Sequence, residues 1–202
     1  MTARRLARNA AMLMVGGLLI ATRAAAADRQ IRPFIGATFG GGTTFLDTEE
    51  AVGKPHLAIG ASAVFLGEIF GTEVDVFDAP GFFQAGDRNL VHVSHVATFS
   101  GNVVLAAPRR LTEYFLRPYV VGGATLMLVR TTTALSVFDV STVRPAFDVG
   151  VGAVAFVTNK VGVSWDVRRF QTIGDGNPAA GLSFGDEHLS FWRATMAAVI
   201  RY

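Results

Sequence analysis

Few residues of this 202-residue chain could do covalent chemistry, and their spacing decides which kind. His92 and Ser94 stand two apart. In a β-strand that places imidazole and hydroxyl on one face, the beginning of a base–nucleophile pair. The pair would also need an acid within hydrogen-bond reach to orient the base. The first acid after Ser94 is Glu113, in a segment that reads as a turn. The pair is therefore read as two polar strand residues, and no catalytic residue is assigned. Asp175-Gly176-Asn177 and Asp186-Glu187-His188 offer oxygen and imidazole ligands. Their spacing matches no calcium loop, and turn chemistry accounts for Asp, Gly and Asn there. His56, His92, His95 and His188 show no ligand spacing, so no metal site is expected. The glycines follow strand alternation, so they form no phosphate-cradling loop.

What remains is charge in unusual places. Arg32, Glu73, Asp75, Asp148, Asp166, Arg168, Arg193 and Arg201 all interrupt strongly apolar segments. Four acids and four arginines so placed need partners, because an isolated charge in an apolar setting is costly. The clearest setting is residues 147–170, FDVGVGAVAFVTNKVGVSWDVRRF. Val149, Val151, Ala153, Ala155 and Val157 alternate with Asp148, Gly150, Gly152, Val154 and Phe156. After the turn Thr158-Asn159-Lys160, Val161, Val163, Trp165 and Val167 alternate with Gly162, Ser164, Asp166 and Arg168. Period two over about ten residues per arm predicts a β-hairpin with one apolar face and one face of glycine and charge.

The same alternation predicts eight strands. They run over about 30–40, 55–66, 68–78, 90–106 and 119–130, then the two arms of the hairpin, then 189–202. The fifth is apolar on both faces, which leaves its register open. The connections 41–54, 79–89, 131–143 and 173–188 read as loops. Those near Gly67, at 108–118 and at 158–160 read as turns. Phe82 and Phe83, in the second loop, either contact a lipid or partner or pack on the rim. Arg109-Arg110 reads as a solvated turn.

Residues 1–27 are set apart. Arg4, Arg5 and Arg8 precede the apolar run 10–21, and Ala25-Ala26-Ala27 precedes Asp28. A basic start, a short apolar stretch and a small-residue site predict a cleaved signal peptide. Its four arginines exceed the formal net charge of +2, so residues 28–202 carry −2. The pI of about 9.4 thus belongs largely to the leader, and no basic patch argues for nucleic acid. Cysteine is absent, so an exported chain must be held by its β-ladder and packing. Mean hydropathy is +0.39, and no later window reaches the length of a membrane helix.

An apolar face on every strand suits either a soluble barrel with that face inward or a membrane barrel with it outward. Glycines 36, 60, 71, 150, 152 and 162 share the charged face, as a crowded small-barrel interior requires. Phe39, Phe65, Trp165 and Trp192 share the apolar face, as interfacial girdles do. The outward reading is the better supported, and the fold class is all-β: an eight-stranded antiparallel transmembrane up-and-down barrel over 28–202.

The hairpin 147–170, RPYVVGGATLML (117–128), FWRATMAAVIRY (191–202), FSGNVVLAAP (99–108) and FGTEVDVFDAPGFF (70–83) resemble the small eight-stranded outer-membrane barrels, the OmpA-like, OmpW-like and opacity-protein superfamily. The resemblance implies a bacterial outer-membrane location, contact with outer-membrane lipids and lipopolysaccharide, and no cofactor. It also implies insertion by the barrel-assembly machinery, with the row ending in Trp192, Ile200 and Tyr202 as the assembly signal. The implied role is structural or interactive, carried by exterior loops. A narrow solute pore is the alternative, and a lipid-modifying enzyme built on the His-x-Ser pair is a weaker one. The eight interior charges are expected to form a salt-bridged plug that leaks when Arg168 is removed.

Overall fold

A computed structural model describes residues 28–43, 55–82, 91–108, 116–133, 139–173 and 189–202. They form eight strands: β1 Asp28–Thr43, β2 His56–Leu66, β3 Phe70–Pro80, β4 Val91–Ala106, β5 Leu116–Thr133, β6 Asp139–Phe156, β7 Val161–Thr172 and β8 Leu189–Arg201. Each pairs antiparallel with its chain neighbours, and β1 pairs with β8, so the barrel is closed. Closure leaves no unpaired edge around the wall.

Several boundaries differ from the alternation reading. β5 begins at Leu116, so Pro118 lies in a strand rather than ending a turn. β6 begins at Asp139, so most of the expected 131–143 loop is ladder, with Arg130 opposite Ser141 and Thr132 opposite Asp139. Threonine and serine there suggested a loop, but β-branched Thr131, Thr132, Thr133 and Thr142 favour strands. The expected strict alternation of long and short connections therefore fails at 134–138, which is shorter than the 107–115 turn. The register of β5 is now defined: Tyr119, Val121, Thr125, Met127 and Val129 are buried, while Leu116 and Val120 are exposed.

The start of β1 and the end of β8 share one end of the barrel with the turns at 67–69 and 157–160 and with the end of β4 and the start of β5. The connections 44–55, 81–90, 134–138 and 173–188 leave from the other, loop end. At that end β1 bulges between Phe39 and Gly42, and Gly40 takes φ 57°, a conformation glycine adopts without a Cβ clash.

The burial pattern is inverted relative to a water-soluble barrel. Ile35, Ile59, Val103, Val149, Val151 and Trp165 are about half exposed on the outer wall. Arg32, Glu73, Asp75, Asp148, Arg168 and Arg193 are 0–2% exposed inside.

Candidate functional site in the barrel interior

The interior is built in tiers because successive inward positions on a strand rise two residues at a time. The middle tier holds the charges. Arg168 Nη2 donates to Glu73 Oε1 at 2.9 Å and to Asp166 Oδ2 at 3.0 Å. Its Nη1 stands 3.9 Å from Asp75 and 3.8 Å from Asp148. One guanidinium thus faces four carboxylates on three strands: Asp166 lies two residues away on its own strand, and Glu73, Asp75 and Asp148 on β3 and β6. Arg193 makes a bidentate pair with Asp75 at 2.8 and 3.1 Å. Asp148 also accepts from Thr125 and Asn102, at 2.9 and 3.2 Å. Asp166 also accepts from Thr195 at 2.9 Å and from the Tyr119 hydroxyl at 3.2 Å.

A chain of polar contacts continues toward the terminal end. Arg32 stacks 5.2 Å from the Tyr119 ring and donates to Gln30 Oε1, and Gln30 donates to Asp28. Arg201 closes the chain, donating to both Asp28 oxygens at 2.6 and 2.7 Å and sitting over Phe156. This joins β1 to β8 at the seam. Arg117 points inward at the same end, donating to the carbonyls of Gly67, Glu68 and Ala107. Beside it Val64, Leu66, Val104, Ala106, Tyr119 and Val121 pack as one apolar cluster.

Toward the loop end the interior turns aromatic. Phe77, Phe82, Phe170 and Phe191 are 0–1% exposed. Phe170 stacks on Phe191 at 5.2 Å, and Phe77 and Phe82 meet these rings edge-on at 5.0 to 6.2 Å. The guanidinium of Arg193 lies under this layer, 4.5 Å from Phe77, 4.7 Å from Phe34 and 5.1 Å from Phe170. Arg193 therefore joins the two tiers, held by Asp75 on one side and by ring faces on the other.

Small residues make space for these large ones. A Cβ at Gly152 would lie 2.5 Å from the Tyr119 ring, so glycine there admits the ring.

Of the eight charges singled out in the sequence, Glu73, Asp75, Asp148, Asp166, Arg168 and Arg193 meet in one cluster, Arg32 lies buried toward the terminal end, and Arg201 pairs with Asp28 at that end, partly exposed. Sequence reasoning missed Asp28 and Arg117, which extend the same inward rows one step past the expected strand starts, and Arg144, on the inward row of β6 beside Met127. It also missed the phenylalanine tier, although a signal was present. Arg32–Phe34, Asp75–Phe77, Arg168–Phe170 and Phe191–Arg193 each put a ring two residues from an inward charge. Phe82 packs inside, 5.7 Å from His56, whereas Phe83 lies outside the described residues.

Trp192, Ile200 and Tyr202 alternate with the inward row of β8, and Arg169 lies 5.6 Å from the Trp192 ring on the outer wall. His92 and Ser94 fall on β4, but their side chains, like Asp175–Asn177, Asp186–His188 and residues 1–27, lie outside the described residues. Among the described residues no group of three His, Asp or Glu is placed to hold a metal ion. His95 pairs instead with Asp78 at 3.3 Å, partly exposed.

No family model and no curated protein sequence matches the chain. Solved structures do. Neisserial surface protein A superposes with a TM-score of 0.59 at 12% identity, covering 87% of this chain and 97% of its own. The N-terminal β-barrel domain of Pseudomonas aeruginosa OprF gives 0.53 at 14% identity, with 87% and 97% coverage. Ail, the attachment invasion locus protein of Yersinia pestis, solved with the heparin analogue sucrose octasulfate, gives 0.50 at 8%, covering 86% and 97%. The chain has the fold of the small eight-stranded outer-membrane β-barrels. At these identities the likeness establishes the architecture alone.

Proposed function

We propose that this chain is a bacterial outer-membrane barrel with a structural or interaction role, presenting its loop-end connections to the cell exterior around a lumen closed to solutes. The inverted burial carries the reading. Strands of 11 to 18 residues meet or exceed the roughly 9–11 needed to cross a bilayer, and their outward residues are predominantly aliphatic or aromatic. Charges buried inside such a wall are supported by one another rather than by water. In this reading residues 1–27 direct export and are removed, and the barrel-assembly machinery engages the final strand through Trp192, Ile200 and Tyr202. Outer-membrane lipids and lipopolysaccharide contact the wall. The reading includes no catalytic step and no cofactor.

The absence of cysteine makes the topology directly testable. Gly176→Cys, in the 173–188 connection, should react with a membrane-impermeant maleimide on intact cells. Asn159→Cys, in the opposite turn, should react only after the outer membrane is permeabilised. The mass of the extracted chain should correspond to a start at Asp28. Equal labelling of both positions on intact cells, or a full-length chain in the soluble fraction, would overturn the proposal.

A further inference from the structure

We infer that the barrier to ions in this barrel is the phenylalanine tier at the loop end, and that the charged tier beneath it is not the seal. The inference rests on the closed lumen proposed above and names the residues that close it.

The apolar tier, or disc, draws on every strand of the barrel. Its buried members are Phe34 from β1, Ala58 from β2, Phe77 and Ala79 from β3, and Phe82 just beyond. Val96 comes from β4, Met127 and Val129 from β5, Ala146 from β6, Phe170 from β7, and Leu189, Phe191 and Ala197 from β8. All eight strands contribute; the polar residues paired beside its members, Thr98 with Phe77 and Met127, Arg144 with Met127 and Thr172 with Ala146, sit at the wall, while the rings of Phe77, Phe82, Phe170 and Phe191 pack against one another. The second apolar cluster is different. It draws only on β2, β4 and β5, and the opposite wall at that height carries Gln30, Ser164 and Arg201. An ion can pass such a surface with part of its hydration shell retained.

The charged tier is polar throughout and retains hydrogen-bonding capacity. Glu73 Oε2, Asn102 Oδ1 and Arg168 Nε make no hydrogen bond among the described residues. These groups would solvate an entering water or ion. The disc would not, because hydrophobic constrictions exclude ions by staying dry. The sequence places the rings consistently. In β1, β3 and β7, which run toward the loop end, phenylalanine follows the inward charge by two residues; in β8, which runs the other way, Phe191 precedes Arg193. Every ring therefore stands on the loop side of its charge. Arg193 fixes the disc from below through three ring faces.

The sequence-based expectation that removing Arg168 opens the barrel changes accordingly. Arg168→Ala enlarges the polar tier and leaves the disc intact.

The experiment is single-channel recording of purified protein in planar bilayers. Circular dichroism and the heat-dependent gel shift of a folded barrel would check each variant. Wild type and Arg168→Ala should both be silent. Phe77→Ala with Phe191→Ala should raise conductance at least about tenfold above the wild-type leak, and the corresponding leucine pair should restore silence. If the alanine pair does not fold, a Ser100→Cys chain with the disc intact gives a second readout. Ser100 is 0% exposed in the charged tier. A cationic thiol reagent added on the loop side should leave it unmodified.

A steadily conducting wild type would refute the closed lumen itself. A silent wild type with a leaking Arg168→Ala, or with a silent, folded alanine pair, would overturn only the placement of the seal. Rapid modification of Cys at position 100 from the loop side would overturn it equally.

Discussion

Removing Arg168 should destabilise this barrel more than removing any outward side chain, and the geometry sets the size of the effect. Its guanidinium makes two contacts near 3 Å, to Glu73 and Asp166, and two near 4 Å, to Asp75 and Asp148, at 1% side-chain exposure. At the effective dielectric of about 20 that suits protein sites, one contact at 4 Å is worth roughly 4 kcal/mol before desolvation. Burying each ion costs several kcal/mol in return, so the intact cluster contributes little net stability. Truncation is different, because the carboxylates stay where they are. The described interior holds five acids (Asp28, Glu73, Asp75, Asp148 and Asp166) and six inward arginines (32, 117, 144, 168, 193 and 201), so what matters is which acids Arg168 itself serves. Arg168→Ala strips Glu73, Asp148 and Asp166 of their ion-pair partner, and Glu73 and Asp166 also lose its hydrogen bonds. The expected loss is about 3–5 kcal/mol, reduced to the extent that water enters. Urea unfolding in lipid vesicles, followed by the fluorescence of Trp165 and Trp192, measures it. Glu73→Gln added to Arg168→Ala should recover roughly 0.5–3 kcal/mol, because the two residues are in direct contact and their effects do not add. A loss under about 1 kcal/mol, or a double variant no better than the single, would refute an acid cluster held together by Arg168.

Two further outcomes follow from the packing and the final strand. Gly152→Ala would set a Cβ 2.5 Å from the Tyr119 ring and 2.6 Å from the Trp165 carbonyl oxygen. Overpacking of this kind should cost about 1–3 kcal/mol in the same unfolding assay, while alanine at Gly101, which meets nothing within 4 Å, should cost much less. Deleting Tyr202, or changing it to Asp, should block insertion while synthesis and export continue, as read from membrane fractionation and the heat-dependent gel shift. A normally inserted barrel would reduce Tyr202, now an exposed residue whose N–H donates to the Arg29 carbonyl, to an interface anchor.

The sequence alone determined whatever depends on neighbours along the chain. Period-two alternation separates two faces on each strand without reference to any other strand, so the strand number and the membership of each face were legible. So was the need for the eight intrusive charges to find partners, since the cost of an unpaired buried charge does not depend on which partner is found. Strand ends were less legible, because Thr131–Thr133 and Thr142 satisfy loop and strand preferences alike and only pairing between β5 and β6 decides between them. Tertiary structure alone decided who meets whom. Arg168 meets Glu73 from 95 residues away, and Arg193 meets Asp75 from 118. These contacts depend on how the eight strands are staggered when the barrel closes, a property of the whole ladder that no single strand encodes. The phenylalanine disc arose in the same way. Each ring was visible beside its charge, but a ring is a local fact, and the cluster exists only where eight strands bring their rings and small residues into contact.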